Sequence, residues 1–143
     1  EPIIIDYLAS IIGVRTADIQ KSAVTVEIDG NKLRVLHPLQ LLQAKIWNLY
    51  KLGEKRTAEG IEQARLSIEI AAAYVKEANT TQRSLLESIE TIARFSATAP
   101  ARFANEHFRL RCIAAIPRRV FDNGVLPPEF HEKRWPQLLK AIE

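Results

Sequence analysis

The chain has 143 residues, 47% of them hydrophobic and 26% charged, with a net charge of +3. That balance excludes a disordered polyelectrolyte, and no apolar run approaches the ~18 residues that cross a bilayer as a helix. The positive excess sits in residues 80–143, which hold ten Lys/Arg against seven Asp/Glu, while residues 1–79 balance at ten of each. So small an excess permits an anionic partner without demanding one.

The chain opens Glu1-Pro2-Ile3-Ile4-Ile5 and contains no Met, so its start is expected to be processed, excised or incomplete. Ile3-Ile4-Ile5 is short and β-branched and predicts a buried strand, with Asp6 just past it. Thr16–Gln20 predicts a brief helix capped by Thr16. Ala23–Ile28 then alternates with period two: Val24, Val26 and Ile28 face one way, Thr25 and Glu27 the other. Asp29-Gly30-Asn31 is a tight-turn signal, and Lys32–Leu36 returns as the second strand of a hairpin.

His37-Pro38 ends that strand and opens a helix, because proline's missing N–H costs nothing in the first turn. Leu39, Leu42, Ile46 and Leu49 recur at helical spacing, and Gly53 closes the helix. A second helix is predicted over about Thr57–Ala78, with Ile61, Ala64, Ile68, Ala71 and Val75 on one stripe. Asn79-Thr80-Thr81 breaks it and caps a third, about Gln82–Ala97, with Leu85, Leu86, Ile89, Ile92 and Phe95 inward. Pro100 opens a fourth, expected to end before Pro117. Asn123-Gly124 is a turn, Pro127-Pro128 starts a short helix to Trp135, and Pro136 is expected to interrupt before a last turn or two over Gln137–Ile142. The fold class that follows is α+β: mostly a helical bundle, with a small antiparallel β element at its N-terminus. The division is residues 1–37, the β-hairpin-containing part, and residues 38–143, the helical part.

Chemistry-bearing motifs are sparse. The lone Cys112, beside Leu110, Ile113 and Ala114, reads as a small buried hydrophobe and points to a cytoplasmic origin. His37, His107 and His131 have no metal-ligand spacing, so no metal site is expected in this chain. Neither a glycine-rich phosphate loop nor a Ser/His/Asp or Cys/His arrangement is present. Trp47, Tyr50 and Tyr74 fall within amphipathic helices and read as core or groove packing. The tail is arginine-rich: Arg102 and Arg109 share a helical stripe with Glu106, Arg111, Arg118 and Arg119 follow, and Arg134 adjoins Trp135. Phosphate backbones reward such clusters by counterion release, and an arginine beside an aromatic can stack on a base. The plain alternative is solvated arginines on a bundle surface.

The run Val35–Lys45, through Lys55-Arg56 to Gln63-Ala64-Arg65, follows the hairpin. It resembles the stretch that, in AbiEii-type toxins and related nucleotidyltransferase-like proteins, leads out of the catalytic sheet into a helical C-terminal region. The resemblance covers about residues 1–75. It implies Mg²⁺-dependent transfer of a nucleotide from NTP to an RNA or protein acceptor by a complete parent protein, and an antitoxin-type protein partner. Most of the machinery would lie upstream, so this fragment would be inactive by itself and would hold no cofactor. The family's Gly-Ser turn occurs nowhere here. On this resemblance Asp6 is the remnant of the acidic strand and Glu27 a third acid, against the ordinary readings of a strand-end polar residue and a solvated strand position. Lys45, on the first helix after the sheet, would face the nucleotide as a point charge and Arg56 would help hold triphosphate; a solvated lysine is the ordinary reading. AbiEii-type proteins often follow an Arg or Lys with Asp and a second Asp three residues on, whereas Lys55-Arg56 here precedes Thr57 and Gly60. Two further readings need no catalysis: a helical module binding RNA, DNA or an acidic partner through the Arg-rich tail, and a domain whose helices bury a partner protein's apolar face. No membrane partner is expected.

Overall fold

In the computed structural model, which describes residues 10–77, 81–122 and 124–143, the first regular element is a short helix, α1 (Thr16–Ser22). The predicted strand Ile3-Ile4-Ile5, Asp6, and the turn residues Asn79, Thr80 and Asn123 lie outside the described residues. Arg15, not Thr16, stands at the start of α1, because its carbonyl accepts the N–H groups of Asp18 (3.0 Å) and Ile19 (3.1 Å); its guanidinium pairs with the Asp18 carboxylate at 2.7 Å. Two strands follow, β1 (Val24–Ile28) and β2 (Asn31–Val35), paired antiparallel with Val26 opposite Leu33. The turn between them needs only two residues. Asp29 (φ 50°) and Gly30 (φ 77°) both take the left-handed conformation that matches the twist of a hairpin. Asn31 is thereby freed to pair with Ile28, so the return strand starts one residue earlier than expected.

The helical part begins at His37. Its Nδ1 accepts from the Leu39 N–H at 3.1 Å, while its carbonyl takes the next two N–H groups. That cap starts α2 (Pro38–Lys51). Thr57 does the same for α3 (Ala58–Glu77), accepting from the Gly60 N–H at 3.1 Å. Gly60 is required there, since a Cβ would sit 1.9 Å from the Lys55 carbonyl oxygen. Thr81 caps α4 (Gln82–Ser96) through the Ser84 N–H. Pro100 lies in the first turn of α5 (Ala99–Phe108).

α5 ends before Pro117, as the sequence predicts, and stops as early as Phe108. Arg109 turns left-handed (φ 60°), and the N–H groups of Arg109 and Leu110 reach back to the carbonyls of Asn105 and Ala104. The bond from Arg109 to Asn105 makes this an αL cap, and the Leu110 side chain beside it is buried. Two separate 3₁₀ turns follow, Cys112–Ala115 and Arg118–Phe121. Pro136 does not interrupt the last helix either. A π-helical turn, Phe130–Arg134, runs directly into α6 (Trp135–Ile142). Proline offers no N–H and its ring crowds the carbonyl four residues back; the wider π turn relieves both problems.

The chain is therefore α+β and mostly helical. Its core lies among α2, α3, α4, α5 and the turn Cys112–Ala115. Leu42, Ile46, Leu49, Leu85, Ile89 and Ile92 are all at most 1% exposed, and each such burial contributes about 1.5–3 kcal/mol. The hairpin is thinner: Val24, Val26 and Leu33 are half-buried, while Ile28 and Val35 on the same face are exposed. No described helix is long and apolar enough to cross a membrane.

Candidate functional site

The arginines of the tail divide into two sets once their partners are known. Arg134 reaches from the π turn to Glu90 on α4, 44 residues away, with Nε 2.8 Å from the carboxylate. Arg94 pairs with the same carboxylate at 2.6 Å. The hydrogen bond from Arg134, aided by both guanidinium charges and opposed by partial burial, holds the Glu90 carboxyl below the usual carboxylate range. Arg102 donates to the Ala141 carbonyl at 3.1 Å and closes the C-terminal end of α6 against α5. These two side chains are fasteners.

Arg109, Arg111, Arg118 and Arg119 are different. All four are exposed, and no ion pair or hydrogen bond engages their guanidinium groups among the described residues. Residues 107–121 hold these four arginines and no acidic residue; Glu106 and Asp122 flank the segment. Its backbone is pinned by neighbours that are buried: Leu110, Cys112, Ala115, Ile116 and Val120. Burial pushes the Cys112 thiol up to about 12, so it acts as a small hydrophobe. Buried anchors alternate with exposed arginines along this segment. Arg111 also lines a small cleft with Arg102, Asn105 and Ile142.

Of the residues expected to handle a nucleotide, Lys45 and Arg56 hold partners of their own. Lys45 on α2 donates to the Gln63 side chain on α3 at 2.8 Å, and Gln63 in turn donates to Glu59 at 3.2 Å. Arg56 folds back onto the end of α2, donating to the carbonyls of Leu49 (2.8 Å) and Tyr50 (3.0 Å). Glu27 is exposed opposite Lys32 on the hairpin, and Asp6 lies outside the described residues. Arg65 is held between Glu62 and Glu69, which raises its pKa and lowers that of Glu62. Among the described residues no three His, Cys, Asp or Glu side chains group as a cation would require.

A cleft of about 420 Å³ opens between α1 and the start of α2 and is lined by Asp18, His37, Gln40 and Gln43 among others. The Gln40 Oε1 atom is buried, with no hydrogen-bond donor to it among the described residues. Desolvation lowers the His37 pKa, so the imidazole is neutral at pH 7. The amides at the start of α2 are already satisfied by His37, so this helix end has no free N–H groups for an anion. On the wall of the cleft Gly13 (φ 80°) lies so close to the Trp47 indole that a Cβ would meet it at 2.1 Å.

One group of side chains was not foreseen from the sequence. Trp47 and Tyr50 on α2 meet Phe103 on α5 in an edge-to-face chain, with centroids 5.7 and 5.5 Å apart. Phe103 then stacks on His107 at 4.1 Å with planes 26° apart. Arg56 lies 4.8 Å over the Phe103 ring, and Lys51 lies 5.3 Å from the Tyr50 ring. The i, i+4 spacing of Phe103 and His107 was the available signal. The chain matches no protein-family model, no curated protein and no solved structure.

Proposed function

We propose that this chain is a non-catalytic helical module that contacts a nucleic-acid phosphate backbone through Arg109, Arg111, Arg118 and Arg119. The observation that carries the reading is that these four guanidinium groups are exposed, without partners among the described residues, and mounted on an acid-free segment anchored by buried side chains. A planar guanidinium presents paired N–H donors to phosphate oxygens, and each contact releases condensed counterions. The same surface suits the role expected of the tail in a nucleotidyltransferase-like parent, namely holding an RNA acceptor while an upstream sheet carries Mg²⁺ and NTP. On that wider reading Lys45 and Arg56 would have to leave their present partners to reach triphosphate, and the isolated chain should transfer no nucleotide.

The test is fluorescence anisotropy with a short labelled oligoribonucleotide across a salt series. Four contacts to a single strand predict a slope of log K against log salt of about −2.8, from −0.7 per contact. Replacing all four arginines by Gln should bring the slope near zero. Absence of binding at low salt, or binding indifferent to salt, would overturn the proposal.

A further inference from the structure

The Phe103–His107 stack has a geometry that a phosphate contact alone does not call for. The imidazole is exposed, yet two contacts fix it: its face lies on Phe103, and its Nδ1 is 3.1 Å from the Phe103 carbonyl oxygen. A carbonyl can only accept, so Nδ1 carries the proton and Nε2 is left toward solvent. Phe103 is itself immobilised. Tyr50 meets it edge-on at 5.5 Å, Phe108 at 5.8 Å, and the Arg56 guanidinium covers it at 4.8 Å. The guanidinium is locked in turn by the Leu49 and Tyr50 carbonyls. The outcome is a rigid exposed ring at the C-terminal end of α5, two residues before Arg109 and at the edge of the acid-free arginine segment.

We propose that His107, backed by Phe103, is a stacking platform for an unpaired base, so that the nucleic acid this chain takes is single-stranded. The inference rests on the phosphate-contact reading above and adds the form of the nucleic acid. A flat ring held in advance loses little entropy when a base settles on it, and every base offers a π face, so such a platform binds without sequence preference. In a duplex the bases are stacked on each other and present only their edges and the backbone. The platform therefore gives nothing to a duplex, while the arginines serve both forms.

The experiment compares an unstructured single strand with a duplex of equal length, by anisotropy at one low salt concentration. Wild type is expected to favour the single strand. His107→Ala should weaken single-strand binding at least about fivefold, in line with the loss of one base–aromatic stack, leaving duplex binding and the salt slope unchanged. His107→Phe keeps the plane and should retain the preference. In His107→Trp the added indole fluorescence should be quenched by the single strand and not by the duplex. Equal binding of both forms, with no loss in His107→Ala, would overturn the platform and leave the phosphate contacts standing. Failure of both forms to bind would remove the two readings together, and loss of duplex binding in His107→Ala would show that His107 does not act by stacking.

Discussion

Arg56 and Arg109 each follow the end of a helix, and they do opposite things. After α2, the chain between Leu52 and Thr57 sends the Arg56 side chain back to cap the last carbonyls, where it also covers Phe103. After α5, the Arg109 backbone does the capping through its left-handed turn, and the side chain is left over. One arginine is consumed by the fold and the other is presented by it. Formal charge is thus a poor guide to available charge: the tail contains eight arginines from Arg83 to Arg134, and what decides their use is whether a carbonyl or carboxylate lies within reach.

The largest effect expected from breaking this contrast is on binding. Replacing Arg109, Arg111, Arg118 and Arg119 together should weaken nucleic-acid binding by about two orders of magnitude or more at low salt, with the melting temperature little changed; anisotropy and thermal melting of one sample read both. Gly60→Ala attacks the other side. The Lys55 carbonyl would have to move, so a loss of about 2 kcal/mol or more is expected by urea unfolding, reported by the turn that carries Arg56. Arg56→Ala should cost about 1–2 kcal/mol, because it leaves two helix-end carbonyls and an aromatic face uncovered. Arg109→Gly should have the reverse sign: about 1 kcal/mol of stabilisation, from relief of the left-handed strain, together with weaker binding. If Arg109→Gly destabilises, the backbone is not strained in the way described.

The smallest effect is a pH dependence. Glu90 is held below its unfolded value by Arg134, so its contribution is complete above the unfolded carboxylate range of about 4.3. It is lost as pH falls through the lower folded value. Urea midpoints of wild type and Glu90→Gln should therefore differ at neutral pH and converge under acid. A difference that persists well below the carboxylate range would mean that Glu90 acts through packing rather than charge.

Much of the fold was legible because helices announce themselves by period. Leu39, Leu42, Ile46, Leu49, Ala64, Ile68, Ala71 and Val75, all placed inward from spacing alone, are buried. The hairpin was legible from Asp29-Gly30. What escaped was set by single groups: the left-handed cap at a non-glycine residue, and a π turn that accommodates a proline. Among the arginines, Arg102 and Arg134 belonged with the candidates by sequence, because nothing local distinguishes them from Arg109. Their partners stand 39 and 44 residues away, beyond any pattern read along the chain. The platform escaped for a related reason: Phe103 and His107 share a helix face, but Tyr50 and Arg56 reach them from another helix and its following turn.

The π turn at Phe130–Arg134 has a consequence for how this tail tolerates change in length. A π turn carries one residue more than the α turn it replaces, so everything after it is rotated by about 100° relative to an uninterrupted helix. Deleting a single codon within 130–134 would restore the regular helical pitch, yet turn buried Leu138 away from α4 and carry the Ala141 carbonyl away from Arg102. It would also return the ring of Pro136 to the carbonyl it now avoids. A one-residue deletion there should be far less tolerated in a mutational scan than most substitutions at the exposed Glu132 and Lys133.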